Sequence, residues 1–344
     1  MRRSRWYGVA AVSLMVGLAP IPLADATPLV TSRRLEGPDR YATAAAIALA
    51  NGEPSAVATL ARGDDAADAL AGSTLTGIMG GPILLTTRDR LSPVVLDALQ
   101  KLGANQVYLL GGSAAISDDV ARELQTKGFD VRRLAGRDRF DTARVIVGEC
   151  TFECGYSEIG GKRVTLLANG FSPADAAAAG AIASGARVPL LLTERDRLPA
   201  ATLEGLAGAR AEQVLIVGGE AVVSAAVVAE LQDNGYEVRR IGGANRQATA
   251  VLLAQVEQQE LGWVIDHVNL TRGDVLADAL AGGPHAGQEQ APVLLTESPN
   301  SLGPAARAFL EANAVTIHDL DVFGDGDAVS AAVVDDAERA AGRG

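Results

Sequence analysis

Cysteine and histidine are scarce in this 344-residue chain, which limits the chemistry that it can carry out. The two cysteines, Cys150 and Cys154, are too few for a disulfide scaffold, but an even pair in an exported chain favours one local disulfide. Two free thiols are the alternative. A metal site at this pair would need further ligands, and none of the three histidines lies near it in sequence. The sequence therefore predicts no cofactor and no metal site.

Positive charge is also in short supply, because the formal net charge is -12 at pH 7. Binding to nucleic acid without sequence preference needs a basic face, so we expect no nucleic-acid partner. This balance does not exclude a local cationic site on an otherwise acidic surface.

Long apolar runs are absent after the N terminus. Three arginines within the first five residues precede an apolar run over 9–23, which is followed by the small-residue cleavage pattern Ala24-Asp25-Ala26. We expect residues 1–26 to be an export signal, cleaved to leave a secreted protein without a transmembrane segment.

The chain contains one pattern three times. RLEGPDRYATA from Arg34 returns as RLAGRDRFDTA from Arg133 and, more weakly, as RIGGANRQATA from Arg240. Three further blocks recur in the same order, among them PILLTTRDRL from Pro82 and LLGGSAAIS from Leu109. The spacing predicts three domains of about 100 residues each, at 27–132, 133–239 and 240–344.

Within the first copy, short apolar runs alternate with helical patterns. We expect strands at 57–61, 83–87, 106–110 and 131–134, and helices at 66–79, 92–102 and 117–127. Nearly continuous apolar strands are typical of parallel sheets covered by helices on both faces. The sequence thus predicts an α/β fold of three tandem Rossmann-like or toprim-like domains with parallel sheets.

The ends of the chain suggest how the three domains are arranged. The third copy ends without the closing strand that the other two copies have, whereas a spare strand precedes the first copy at 29–35. We hypothesise that this strand completes the third sheet and closes a pseudo-threefold ring, giving a monomer with an internal pseudo-trimer.

These repeated blocks resemble the cell wall binding repeat 2 family, which occurs as triplets in surface-layer and other wall-associated proteins of Gram-positive bacteria. The resemblance covers roughly residues 33–341 and includes the R-L-x-G-x-x-R-x-x-T-A opening and the A-D-A-L-A-G block. It implies α/β domains that assemble within one chain, and non-covalent attachment to an anionic secondary polymer of the cell wall. Attachment itself is then the expected activity, at the cell wall or cell surface.

Arginine is the residue best suited to such a polymer, because its guanidinium group binds phosphate or carboxylate with two parallel hydrogen bonds. Arginines recur at predicted helix starts and just beyond strand ends, where open α/β sheets place their ligands. The alternative is that neighbouring acids pair with these arginines, either to fix turns or to hold neighbouring copies together; these acids are Asp39, Asp89, Asp138 and Asp196. The helical setting of Asp68, Asp175 and Asp278 suggests that they are helix caps or interdomain partners. The candidate polymer-binding residues are Arg40, Arg62, Arg88, Arg90, Arg139, Arg195, Arg197, Arg246 and Arg272.

Two other classes of function stay open at this point. One is a secreted hydrolase or phosphotransferase, but no serine, cysteine or histidine lies in a recognised nucleophile motif, so we expect no catalytic residues. The other is a scaffold for a protein partner. The third copy departs from the pattern at Asn245, 298–300 and Asp325, which puts its ability to bind ligand in doubt.

Overall fold

The structure is a computed structural model that describes residues 30–153 and 158–342, with the side chains of 151–153 left out. It contains three α/β units, each built on a parallel sheet. The predicted signal at 1–26 lies outside the described residues.

The first unit has a sheet in the order β3-β2-β4-β5, and each of its strands ends at the same edge because all four are parallel. Its elements follow closely the bounds that the sequence predicts. They are α1 (Arg40–Leu49), β2 (Val57–Arg62), α2 (Ala66–Met79), β3 (Ile83–Thr86), α3 (Pro93–Leu102), β4 (Gln106–Leu110), α4 (Asp118–Thr126) and β5 (Asp130–Leu134).

The second unit repeats this order as β8-β7-β9-β10 and adds a short strand, β6, antiparallel to the start of β7. A 3₁₀ turn at Pro173–Ala176 takes the place of the first turn of the helix that follows the first strand in the other units. The elements are α5 (Arg139–Glu153), β6 (Glu158–Ile159), β7 (Lys162–Asn169), α6 (Ala179–Gly185), β8 (Leu190–Thr193), α7 (Ala200–Gly208), β9 (Gln213–Val217), α8 (Ala225–Asp233) and β10 (Glu237–Ile241).

The third unit has only three strands of its own, and the N-terminal strand β1 (Thr31–Leu35) supplies the fourth. β1 pairs in parallel with the last of them, from Thr31 opposite Asp319 to Leu35 opposite Phe323. The hypothesis of ring closure is therefore confirmed. The other elements are α9 (Arg246–Gln259), β11 (His267–Arg272), α10 (Ala277–Glu289), β12 (Val293–Thr296), α11 (Pro304–Ala312), β13 (Asp319–Phe323) and α12 (Ala331–Ala341).

Small residues of α2, α6 and α10 meet at the centre of the molecule. A Cβ added to Gly180 would lie 3.0 Å from Ser73 Oγ and 3.1 Å from Gly283 Cα, and these three residues hold the same position in the three copies. One helical turn further on, Gly77 and Gly287 both pack against Ser184, again at matching positions. Contacts between matching positions at two levels require three helices that run in the same direction around a common axis.

This arrangement fixes the direction of the sheets. Each central helix begins just after the carboxyl end of its unit's first strand, so the carboxyl ends of all three sheets face the same side of the molecule. We call this side the carboxyl face and the opposite side the amino face. One apolar core runs continuously through the three units, and a second lies against the outer side of the first sheet.

Candidate functional site

Arg40, Arg139 and Arg246, which we call the opening arginines, are the first residues of helices α1, α5 and α9 on the carboxyl face. Asp39, Asp138 and Asn245 precede them and cap the helices, each accepting hydrogen bonds from backbone amides with its side-chain oxygen. Asn245 caps as an aspartate would, so this departure of the third copy leaves the local structure intact. The alternative interpretation, in which Asp39 and Asp138 pair with these arginines, does not describe them, because their carboxylates cap the helices.

The three opening arginines share one hydrogen bond and differ in their other contacts. Each donates Nη1 to a backbone carbonyl beyond the first strand of its sheet, from Arg40 to Gly63 at 2.7 Å and from Arg246 to Gly273 at 2.6 Å. Arg139 binds Gly170 O in the same way and also forms an ion pair of 3.2 Å with Asp65 of the preceding copy. Arg40 and Arg246 have no carboxylate within 4.0 Å among the described residues.

Arg88 and Arg195 serve to join two loops of the carboxyl face. Their Nε atoms donate to Ala114 O at 3.0 Å and Ala221 O at 2.8 Å, and each guanidinium pairs with the next residue in sequence, Asp89 or Asp196. For these two, the alternative interpretation of turn-fixing pairs describes the structure.

Arg90 and Arg197, two residues after Arg88 and Arg195, differ in their contacts. Arg197 pairs with Glu194, Nε to Oε2 at 3.0 Å, whereas Arg90 is exposed and has no carboxylate within 4.0 Å in the described part of the chain. Arg62 and Arg272 close bidentate pairs with Asp64 and Asp274. Six of the nine candidates are thus paired internally, and Arg40, Arg90 and Arg246 are not.

Two matching clefts open on the carboxyl face where one copy meets the next. The first, about 270 Å³, lies between copies one and two and includes Arg62, Asp68, Gly112 and Arg139. The second, about 150 Å³, lies between copies three and one, with Arg272, Asp278, Asp325 and Arg40 in the matching places. The two clefts therefore repeat one design in which the arginine of the next copy faces a carboxyl of the preceding copy.

The carboxyl groups of Asp68 and Asp278 are the unusual members of these clefts. Burial raises the pKa of each to about 6, and the charges of Asp65 and Asp325 act in the same direction, whereas the facing Arg139 and Arg40 oppose the rise. Neither carboxyl accepts a hydrogen bond from a described residue. They are interdomain neighbours of the arginines, as the sequence suggested, but they are not helix caps.

A glycine lies beside each of these carboxyls, and both its backbone conformation and the lack of space for a Cβ require it. Gly111 and Gly324 have φ values of +89° and +101°, which side chains rarely adopt, and a Cβ on Gly324 would lie 2.9 Å from Asp278 Oδ2. In the first cleft, the amides of 112–114 form no hydrogen bond to a described residue. In the other, Asp325 accepts from the amides of Asp327 and Ala328, at 3.1 and 3.0 Å. The first cleft thus keeps an amide at residue 114 that is free among the described residues, whereas the matching amide of Asp327 is bound by the Asp325 side chain.

Sequence reasoning missed a second set of repeated arginines, which are structural. Arg34, Arg133 and Arg240 lie on the last strand of each sheet and donate to carbonyl oxygens of the loop beside it, Arg240 to Gly218 O at 2.9 Å and to Val223 O at 2.8 Å. The repetition of R-L or R-I at the start of each opening block was the available signal, but it does not separate a structural arginine from a binding one.

The expected disulfide stays a prediction. Cys150 is buried in α5, and Cys154 lies outside the residues that the structure describes. Over the described ranges, no helix combines the length and the apolar composition needed to cross a bilayer, and no cluster of three metal-ligating side chains is found there.

Comparison with known proteins agrees with this architecture. The chain is 26% identical over 296 residues to the N-acetylmuramoyl-L-alanine amidase LytC of Bacillus subtilis strain 168, covering 86% of this chain and 55% of LytC. It is 27% identical to the amidase enhancer of the same organism, covering 87% and 39%. The solved structure of Cwp8 from Clostridium difficile superposes with a TM-score of 0.74 at 25% identity, covering 90% of this chain and 51% of Cwp8. The chain therefore spans about half, or less, of the proteins that it matches.

A family model matches the chain three times, over residues 34–121, 133–228 and 240–334. The three matches coincide with the three units of the fold and with the recurring opening arginines. The chain therefore belongs to the family of Cell wall binding domain 2 (CWB2), which it contains in three tandem copies.

Proposed function

We propose that this protein attaches non-covalently to the bacterial cell wall by binding an anionic secondary wall polymer on its carboxyl face. The observation that carries the proposal is the set of three arginines on that face, Arg40, Arg90 and Arg246, which have no carboxylate partner among the described residues. On a chain with a net charge of -12, guanidinium groups that form no ion pair within 4.0 Å in the described part of the chain are suited to an external anion.

The boundaries between copies present arginines that are held in fixed positions and repeated around one face. Arg40 and Arg246 are held in place by the carbonyls of Gly63 and Gly273, so that little conformational freedom is lost on binding. Threefold repetition on one face spaces the sites for a long polymer, and simultaneous contacts raise the overall affinity above that of any one contact.

Attachment rather than catalysis fits the content of the clefts. Their charged side chains are arginine and aspartate, and no histidine or cysteine is among the residues that line the two described clefts. LytC is an amidase and a second relative an amidase enhancer. Since the chain spans about half or less of each, we assign the shared part to wall binding and place the protein at the wall or cell surface.

The experiment is co-sedimentation of the chain from residue 27 onward with isolated Gram-positive walls. A variant with Arg40→Ala, Arg90→Ala and Arg246→Ala removes the three unpaired cations of the carboxyl face. We expect each loss to weaken binding by roughly tenfold, the value of a charge-assisted hydrogen bond of about 1.5 kcal/mol. Extraction of phosphate-rich and acidic polymers from the walls should abolish the binding of the unaltered chain.

The matched control changes three cations of the amino face. Lys127, Arg187 and Arg210 are exposed, precede strands rather than follow them, and have no carboxylate within 4.0 Å among the described residues. Their replacement by alanine changes the net charge equally and should leave sedimentation intact. Equal losses for the two variants would show a general charge effect and contradict the proposal.

A further inference from the structure

An aromatic ring is exposed on the carboxyl face of the second copy. Phe171 follows β7 and keeps 65% of its surface exposed, although the chain has only six phenylalanines and the larger buried side chains are almost all aliphatic. Val264 and Val315, similarly exposed, lie in loops that precede strands and so belong to the amino face.

The ring is held in a fixed position. The Phe171 amide donates to Asn169 Oδ1 at 2.8 Å, and the Asn169 amide group in turn donates to Val222 O. The Phe171 and Phe140 rings form a T-shaped pair, with centroids 5.6 Å apart and planes at 78°. A side chain that is already ordered loses little rotamer entropy when a ligand packs on it.

Arg139 joins this ring to the first cleft. Its guanidinium carbon lies 4.8 Å from the Phe171 centroid, and its nitrogens reach Gly170 O and Asp65 at the boundary with the first copy. The cation thus lies over one face of the apolar ring. The remaining exposed surface of the ring is open to solvent.

The other two copies place a closed ion pair where the second copy has this ring. Asp64 and Asp274 occupy the position of Phe171, and each binds the arginine two residues before it, which in the second copy is Asn169. The second copy therefore exchanges an arginine and an aspartate that neutralise each other for an apolar surface beside Arg139.

We propose that Phe171 is a stacking platform for a pyranose ring, and that the polymer bound at this boundary is an acidic polysaccharide. The C–H groups of one face of a pyranose pack on an aromatic ring, while the acidic group of the same or the next sugar is within reach of the cations of the cleft. A polymer of glycerol phosphate carries the charge but offers no ring. This inference rests on the proposed function and names its ligand class.

The test compares two probes by titration calorimetry: acidic polysaccharide released from Gram-positive walls by mild acid, and poly(glycerol phosphate). Phe171→Leu keeps an apolar side chain but removes the flat ring, and Phe171→Trp keeps a ring. We expect Phe171→Leu to weaken polysaccharide binding roughly threefold to tenfold, the range measured for aromatic contacts. Phe171→Trp should retain it, and binding of poly(glycerol phosphate) should be the same for all three proteins.

The outcomes separate this inference from the proposed function. Unchanged polysaccharide binding by Phe171→Leu, or equal losses for the two probes, would overturn the stacking role, and equal losses would show that Phe171 only positions Arg139. Binding of poly(glycerol phosphate) alone would overturn the ligand class but leave the proposed function standing. If the unaltered chain bound neither probe, both proposals would fall.

Discussion

Glu257 is an acidic side chain buried in the apolar interior of the third copy. It lies in α9 with 1% of its surface exposed, and neither carboxyl oxygen has a hydrogen-bond partner among the described residues. Burial raises its pKa well above the usual value of glutamate. The corresponding residue of the second copy is the buried Cys150, which is compatible with an apolar environment.

We expect Glu257→Leu to stabilise the protein, and more so at pH 8 than at pH 4. An acid whose pKa is raised on folding costs stability as pH rises from its unfolded pKa through its folded pKa, because over this range the unfolded state loses its proton while the buried acid of the folded state keeps it. Removal of the unpartnered polar group should contribute about 1–3 kcal/mol. Thermal unfolding across this pH range is the measurement.

Glu257→Gln serves as the control, since it removes the charge but keeps the polar group. It should match the parent at pH 4 and exceed it at pH 8. A parent protein whose stability does not fall above pH 5 relative to both variants would contradict this account of Glu257.

The two cleft carboxyls predict how wall binding depends on pH. Asp68 and Asp278 have pKa values of about 6, so both become neutral as pH falls from 7 to 5, and the clefts then repel an anionic polymer less. We expect affinity for isolated walls to rise by roughly two- to threefold per carboxyl, the effect of one charge at about 7 Å in water. Binding isotherms at pH 5, 6 and 7 measure this rise.

Asp68→Asn with Asp278→Asn should remove this pH dependence and give, at pH 7, the affinity that the parent shows at pH 5. Asp119→Asn, which changes an exposed carboxylate on α4, is a suitable comparison because Asp119 lines neither cleft. Affinity that is equally pH-dependent in the Asp68 and Asp278 variant would assign the effect to other groups.

At the scale of the residue, the sequence predicted which side chains would gather on the carboxyl face but not which of them are free. Arg139 is paired because Asp65 lies across a domain boundary, whereas the residues matching Asp65 in the other copies are Ser172 and Val275. The sequence shows this difference between the copies, but not that the residue at this position faces the arginine of the next copy. Phe171 was missed for the same reason, since one aromatic residue in a loop carries no signal without its neighbours.

Among the elements, the central helices α2, α6 and α10 approach closely enough that their packing needs small residues. A Cβ on Gly77 would overlap the backbone oxygen of Ser184, which no side-chain rotation can relieve. We expect Gly77→Ala to destabilise the protein by about 1–3 kcal/mol through overpacking at the axis. Gly148 in α5 has open space at its Cβ position, so Gly148→Ala should instead stabilise by about 0.5–1 kcal/mol. Urea unfolding of the two variants tests the contrast, and stabilisation by both would mean that the helices do not meet as described.

A network of buried charges holds strand β1 on the third unit. Arg33 binds Asp321 with Nε and Nη2 at 2.8 and 2.6 Å, and Asp321 also contacts His285 Nε2 at 2.8 Å. Although burial opposes ionisation of Asp321, hydrogen bonds from His285 and Arg33, together with the nearby His267 at 3.5 Å, hold its pKa far below the usual range. His267 also contacts Glu289, and its pKa is raised: burial lowers it, but the neighbouring carboxylates of Asp321 and Glu289 outweigh burial.

Asp321→Asn should therefore loosen ring closure. Because Arg33 is half-exposed, loss of the buried carboxylate should cost roughly 1.5–3 kcal/mol, the range for hydrogen bonds to charged groups, and the loss falls on the strand that joins the two ends of the ring. Hydrogen exchange of the Thr31–Leu35 amides should accelerate more than that of β4. Asp319→Asn, which changes an exposed partner of Thr31 two residues along the strand, should have little effect. Equal exchange at β1 in both variants would contradict the role of Asp321.

Strand and helix positions were predictable because apolar runs and periodicity are local properties. The helix over 66–79 and the strand over 106–110 match the structure at both ends. Finer detail was not predictable: Ser117, Ser224 and Ser330 all stand at N-cap positions, but only Ser117 accepts a hydrogen bond from its helix. Whether a serine rotates to cap depends on packing that the sequence pattern does not contain.

At the scale of the whole molecule, a missing strand at one end and a spare strand at the other predicted the ring. The common direction of the three sheets was not predictable, since it depends on contacts between Ser73, Gly180 and Gly283 that are far apart in sequence. This direction is what gives the protein a single face on which unpaired arginines from separate copies act together. The domain limits at 27–132, 133–239 and 240–344 stay predictions.

Hydrogen exchange of the chain with and without polymer extracted from Gram-positive walls tests the central claim most directly, because it locates the bound polymer on the molecule. The account predicts slower exchange on the carboxyl face, at the opening segments around Arg40, Arg139 and Arg246 and at the loop 111–115, with no change around Arg187 and Arg210 on the amino face. Protection confined to the amino face, or bound polymer with no protection at any of the three boundaries, would contradict it.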